Sequence, residues 1–164
     1  MSHAVDLLQL RGPRREAAIK AFNRQLTEWG LHMPPVNPLV LDFGLGDFDR
    51  VGLIEYWLAN EIGAGYCGKY LFVFAGQECP SHSHGAKHET FCAVRGRLRV
   101  VLDGRPIVLN EGQTLPVAPG QVHSFRGEDG QALLLELSTP CDPKDNLFVD
   151  PRIRQWLQKA LGTP

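Results

Sequence analysis

The period of the apolar positions changes twice along the chain. After Gly12-Pro13, residues Ala18, Phe22, Leu26 and Trp29 recur at spacings of four and three, the stripe of a helix with one buried face. Proline suits the first helical position, where its missing N–H costs nothing, and Gly30 supplies a stop. Met33-Pro34-Pro35-Val36-Asn37-Pro38 reads as an extended linker. From Leu39 to Ser138 the helical spacing gives way to short β-rich runs. These are Leu39–Phe43, Leu53–Leu58, Tyr70–Phe74, Glu89–Arg95, Arg97–Asp103, Pro106–Leu109, Thr114–Val117 and Ala132–Ser138. Gly96, Asp103-Gly104, Glu111-Gly112, Pro119-Gly120 and Asp129-Gly130 separate them, a rhythm that predicts a β-sandwich or barrel. A second helix follows. Asp150 can cap it, Pro151 can open it, Ile153, Trp156, Leu157, Ala160 and Leu161 form its stripe, and Gly162 can end it.

The expected architecture is one mainly β domain: helix and linker over residues 1–37, a barrel over 38–149, and a C-terminal helix over 150–164, both helices lying outside the barrel. A chain of 164 residues with 43% hydrophobic and 21% charged residues is long enough for a sizeable core. The formal net charge of −1 comes with no basic stripe, which argues against nucleic acid as a partner. No apolar run approaches the ~20 residues of a membrane span, and Met1 to Leu10 lacks a signal-peptide pattern. The reading is cytoplasmic. Cys67, Cys79, Cys92 and Cys141 form no C-x-x-C pair and are read as free thiols acting as small hydrophobes.

The segment richest in chemistry runs from Gly76 to Gly96. His82 and His84 are two apart, so an extended backbone puts both imidazoles on one face. Glu89 follows a short turn and can fold back beside them. His123 comes after the Pro119-Gly120 turn as a fourth ligand. Three imidazoles and a carboxylate suit Mn, Fe, Co, Ni or Zn rather than Ca or Mg, and leave positions open on an octahedral ion. His88 is the rival ligand, but it falls one residue out of phase with Glu89 and should face the other way. On the last strand Glu136 sits between Leu135 and Leu137 where both faces read as buried. A carboxylate there is either functional or held in an ion pair, with an arginine of the barrel as the expected partner.

The spacing G-x5-H-x-H-x4-E-x6-G resembles the first motif of the cupin superfamily, and Gly112 to His123 resembles its second. Ala118 stands where that motif has its first proline, and Gly127 where a downstream asparagine is usual. Within the cupins the chain resembles the D-lyxose isomerase family from about Leu41 to Ile153, its short members most of all. The resemblance rests on Gly44-Leu45-Gly46, Val51-Gly52-Leu53, Tyr66-Cys67-Gly68-Lys69 and Gly76-Gln77. It continues through the His-x-His-x-x-Lys-x-Glu core with Thr90-Phe91, then Glu136-x-Ser138, Asp145 to Phe148, and Asp150 to Ile153. It implies a cupin jelly roll that interconverts D-lyxose with D-xylulose and D-mannose with D-fructose. It also implies one divalent metal per chain, usually Mn(II), and a homodimer. Longer members carry aromatic residues where this chain has Ser83 and Gly85, which implies a more open pocket.

Aldose–ketose isomerisation moves hydrogen between C1 and C2 of an open-chain sugar. In that scheme Glu136 shuttles the proton and Lys87 stabilises the developing oxyanion; a solvated loop position is the competing reading of Lys87. Lys69 is a candidate substrate contact or a surface residue. A sugar-phosphate isomerase would need a cationic clamp for the phosphate, which the sequence does not offer. An iron-dependent dioxygenase and a non-catalytic metal- or sugar-binding cupin also compete with the free-sugar isomerase.

Overall fold

The computed structural model describes residues 8–161, with the side chains of residues 160 and 161 left aside. Helix α1 spans Gly12–Glu28 and α2 spans Pro151–Leu161. Between them run eleven strands: β1 (Leu39–Leu41), β2 (Leu53–Glu61), β3 (Tyr66–Val73), β4 (Glu78–Ser83), β5 (Glu89–Arg95), β6 (Leu98–Leu102), β7 (Arg105–Leu109), β8 (Thr114–Val117), β9 (His123–Gly127), β10 (Ala132–Ser138) and β11 (Leu147–Phe148). They form two antiparallel sheets, β1-β2-β3-β10-β5-β8 and β11-β4-β9-β6-β7. The alternation of short strands and glycine turns predicts a sandwich or barrel, and the two sheets form the jelly roll that the family resemblance implies.

The eight runs read from the sequence all contain strands, and three more strands are present. Strands β4 and β9 escape the pattern because their inward positions carry His82 and His123 where hydrophobic residues would signal a strand. Strand β11 has only two residues, too few for a period. The β2–β3 pair runs further than its apolar residues suggest, because a bulge between Trp57 and Ala59 breaks the alternation and Lys69 occupies an inward position.

The main core lies between the sheets, around Leu53, Leu71, Phe91, Val100, Phe125 and Leu134. Helix α1 lies outside, as expected: Ala18, Phe22 and Leu26 pack on Ile54, Tyr56, Phe72 and Leu133, the outer face of the six-stranded sheet. It ends at Gly30 (φ +65°) in a Schellman arrangement, with Gly30 N–H donating to Thr27 and Leu31 N–H to Leu26. Helix α2 does more than cover the outside: Ile153 and Leu157 join the inter-sheet core beside Phe43 and Phe148. Asp150 caps it, accepting from Arg152 N–H at 2.8 Å. Its Trp156 remains 41% exposed, and the expected stop at Gly162 lies outside the described residues.

Two turns show why the sequence departs from a generic strand pattern. Asp103 and Gly104 both have positive φ (48° and 78°), the type I′ geometry that closes the β6–β7 hairpin. Gly127 replaces the usual asparagine because a Cβ there would stand 1.7 Å from the Gly130 carbonyl oxygen; the turn leaves no room for a side chain.

Candidate metal centre and active site

The strand register assembles the histidines. His82 on β4 pairs directly with His123 on β9, and their ring centroids are 4.3 Å apart. His84, just past β4, brings its ring centroid to 5.0 Å from that of His82. Ligand atoms of the three lie within 4.8 Å of one another, and all three residues are buried. Glu89 opens β5 on the opposite sheet and reaches across, with Oε1 3.4 Å from His84 Nε2 and Oε2 3.2 Å from His123 Nε2. His88 is exposed, as its phase predicts, and takes no part.

Each imidazole is fixed through its outer nitrogen. His82 Nδ1 lies 2.8 Å from the Pro80 carbonyl, His84 Nδ1 3.0 Å from that of Asp145, and His123 Nδ1 3.0 Å from that of Gln121. A carbonyl oxygen only accepts, so each Nδ1 holds a proton and each Nε2 turns a lone pair inward. Burial, then the neighbouring His123 and His84 rings, hold His82 well below the ordinary imidazole range. Burial works against ionising Glu89, but its surroundings, the Lys87 ammonium at 2.6 Å among them, hold the carboxyl well below its usual range. His84 Nε2, His123 Nε2 and Glu89 Oε2 are buried with no hydrogen-bond partner. Lone pairs converging without a proton among them are costly in a protein interior. A divalent cation satisfies all of them at once, so the donor set fits a metal.

Beside this cluster lies a buried charge network. Lys87 Nζ is 2.6 Å from Glu89 Oε1 and 3.1 Å from Glu136 Oε1. Lys69 Nζ is 3.3 Å from Glu136 Oε2 and 3.5 Å from Glu55 Oε1. Trp57 Nε1 donates to Glu55 at 2.9 Å, and Lys69 lies 5.2 Å from the centroid of the Trp57 ring. Lys69 and Glu136 are direct cross-strand partners on β3 and β10. Both lysines are buried, which corrects the solvated loop position for Lys87 and the surface position for Lys69. The apolar surroundings that exclude water from β10 and β3 enclose them, and carboxylates neutralise them. The ion-pair partners of Glu136 are these lysines and not an arginine. Burial raises the Glu136 pKa against the opposing pull of Lys69 and Lys87. Burial disfavours charge on Lys69 too, but Glu136 and Glu55 overcome it and raise its pKa well above the usual value.

Three contributors were not singled out from the sequence. Asp145 accepts from the backbone N–H groups of Gly85, Ala86 and Lys87, at 2.7, 3.1 and 3.0 Å, while its carbonyl orients His84. It lies within Asp145 to Phe148, a segment carried by the family resemblance, yet spacing alone gives it no role. Glu55 and Cys141 also line the pocket formed by His82, His84, Lys69, Lys87 and Glu136. The short apolar run around Glu55 gives no hint of its function.

Residues 71–138, from β3 to β10, match the model of the cupin domain. The D-lyxose/D-mannose isomerase of Thermosediminibacter oceani is 32% identical, over 71% of this chain and 78% of the relative. This chain belongs to the D-lyxose isomerase family of cupins. The D-lyxose ketol-isomerase of Cohnella laeviribosi is 29% identical over the same shares. The fold is shared with more distant proteins. The L-ribose isomerase of Acinetobacter sp. DL28, solved with L-ribose, superposes with a TM-score of 0.74 at 16% identity, covering 92% of this chain and 96% of that one.

Proposed function

We propose that this cupin is a metal-dependent aldose–ketose isomerase acting on free sugars, D-lyxose/D-xylulose and D-mannose/D-fructose being the first pairs to try. The observation that carries the reading is Lys87, whose ammonium links Glu89 of the metal cluster to Glu136 in one buried pocket. A candidate base and an oxyanion partner thus adjoin the lone pairs that accept the metal. The ligands in this reading are His82, His84, Glu89 and His123, one ion per chain, with Mn(II) the proposed species.

A divalent transition ion supplies Lewis acidity that polarises a carbonyl and its neighbouring hydroxyl. Glu136 takes the proton from one carbon of the open-chain sugar and returns it to the next; its raised pKa makes it a stronger base than an ordinary carboxylate. Lys87 holds positive charge where the oxyanion develops. Lys69 fixes the other oxygen of Glu136 and lines the pocket, where it is the proposed substrate contact. Both pocket lysines already face carboxylates, and no arginine lines the pocket among the described residues, which favours free sugars over sugar phosphates.

No described helix is long and apolar enough to cross a membrane. The four thiols are free, which supports a reducing, cytoplasmic setting. Leu58, Tyr66 and Leu137 are exposed on the adjoining strands β2, β3 and β10, and a homodimer interface there is proposed.

The test is Mn(II)-loaded protein assayed in D2O with free and phosphorylated sugars. Chelator-sensitive turnover of D-lyxose or D-mannose, with deuterium entering the ketose, is expected. Turnover of phosphorylated sugars alone overturns the free-sugar reading, and no turnover of any sugar overturns the isomerase. Ketose without deuterium leaves direct return of the same proton or a hydride shift, and the rate of Glu136→Gln with full metal decides between them.

A further inference from the structure

Cys67 and Cys141 are 74 positions apart in sequence, yet their sulfurs are 3.4 Å apart. Strand register and a loop anchor bring them together. Cys67 on β3 pairs with Ser138 on β10 and with Asn60 on β2. The Asn60 side chain fixes the backbone of Cys141 from both sides, accepting its N–H at 3.0 Å and donating to its carbonyl at 3.1 Å. Cys141 is therefore held over Cys67 by groups other than the sulfurs. Of the two, Cys141 lines the pocket, and Cys67 is 1% exposed.

We propose that Cys67 and Cys141 form a reversible redox site beside the pocket, with Cys141 as the nucleophile towards a small peroxide and Cys67 as the resolving thiol. The groups facing Cys141 are Cys67 and Lys69 from β3, Lys87 from the β4–β5 loop, Glu136 and Ser138 from β10, and the Asn60 amide from β2. Cys67 donates to the Cys141 sulfur, and that bond is the largest cause pulling the Cys141 thiol down to about 5. Burial opposes it, while Lys69, Lys87 and Ser138 add to it. The same bond, with burial, drives the Cys67 thiol up. The contact thus favours the thiolate on Cys141 and the proton on Cys67.

With hydrogen peroxide, the Cys141 thiolate attacks one oxygen and the O–O bond breaks. Hydroxide leaves, takes a proton from solvent and becomes water, and Cys141 becomes a sulfenic acid. Cys67 then attacks the Cys141 sulfur. The S–S bond forms, the S–O bond breaks, and the oxygen departs as water with the Cys67 proton. The two thiols lose two electrons and the peroxide gains them. The sulfurs close from 3.4 Å to a bond of about 2.0 Å. Lys87, whose Nζ lies 3.7 Å from the Cys141 sulfur, loses an anionic neighbour.

The test treats metal-loaded protein with hydrogen peroxide and counts thiols. From four in the sequence the number should fall to two, the intact mass should drop by two hydrogens, and a peptide map should join Cys67 to Cys141. Dithiothreitol should restore all four. In Cys67→Ser the oxidation should stop at a sulfenic acid on Cys141 that dimedone traps, and Cys141→Ser should keep its remaining thiols. An unchanged wild-type count, a bridge at Cys79 or Cys92, or loss of thiols in Cys141→Ser at the wild-type rate overturns the proposal. If either variant fails to fold, the unmodified protein still decides. Iodoacetamide should label Cys141 at a nearly level rate above about pH 6, whereas an ordinary thiol of pKa ≈ 8.5 gains about tenfold per pH unit there. That steep rise, if seen at Cys141, overturns its role as nucleophile. Slower sugar turnover after oxidation rests on the isomerase reading, but the thiol count does not, so either can fail without the other.

Discussion

At the scale of single residues, Glu136 separates binding from chemistry. It lies outside both histidine motifs and contacts no imidazole, but two ammonium groups hold its oxygens at 3.1 and 3.3 Å. Glu136→Gln keeps the volume and an acceptor but cannot take a proton. Isomerisation should slow by roughly 10²–10⁴, while metal content, measured by elemental analysis, stays at the wild-type level. Near-normal turnover with full metal would make Glu136 structural. Lys87→Met should also lower the rate, through lost charge stabilisation. The proposed ligands and Glu136 were legible because motif spacing and strand phase are local properties. The partners of Glu136 were not, since Lys69 meets it through the β3–β10 register, 67 positions apart by sequence number (136 minus 69). The Cys67–Cys141 contact was hidden for the same reason.

At the scale of elements, the loop from Gly85 to Lys87 takes its shape from the far end of the chain. Asp145, in a single 3-10 turn at Pro143–Asp145, receives three of its N–H groups and orients His84. Asp145→Ala leaves those donors unpaired and frees the loop that carries Lys87. Metal affinity, read by chelator competition, should weaken by about 10- to 100-fold, the usual effect of removing a group that orients a ligand. Asp145→Asn, which keeps an acceptor, should recover part of it. An unchanged affinity would confine Asp145 to the loop's own stability. Gly85 belongs to the same arrangement: a Cβ there would stand 3.1 Å from the Asp145 carboxylate, which would have to give way by a few tenths of an ångström. Helix α1 is a purely structural element. Phe22 is 1% exposed, with its ring centroid 4.8 Å from Phe72 and 5.5 Å from Tyr56. Phe22→Ala should cost about 3–5 kcal/mol in a urea titration without altering metal affinity. A loss of metal in the folded variant would show that α1 acts on the site. This helix was legible because its stripe has the right period. Strands β4 and β9 were not, because a strand whose inward side chains are ligands has no hydrophobic alternation to read.

At the scale of the whole molecule, the two sheets meet at the proposed metal centre: His82 and His123 come from strands of one, His84 from just past β4, and Glu89 from the other. An ion there ties the sheets together and binds only the folded state. At a free metal concentration of 100 times Kd the stabilisation is about 2.7 kcal/mol, so calorimetry should show the melting temperature rise with added Mn(II) and fall with a chelator. A melting temperature indifferent to both would place the ion elsewhere or exclude it. The cluster also lies close to the shortest strand of the second sheet. Strand β11 pairs with β4 through Leu147↔Ser83 and Phe148↔His82, Val149 N–H donates to the Ser81 carbonyl at 2.9 Å, and the Phe148 ring rests 5.2 Å from that of His82. A two-residue edge can detach without melting the rest, since local openings cost less than global unfolding. We expect an ion at the proposed site to leave as often as this short strand lets go. Amide deuteration at Leu147 and Phe148 and the release of metal to a scavenger should follow the same clock, orders of magnitude faster than the unfolding of the barrel.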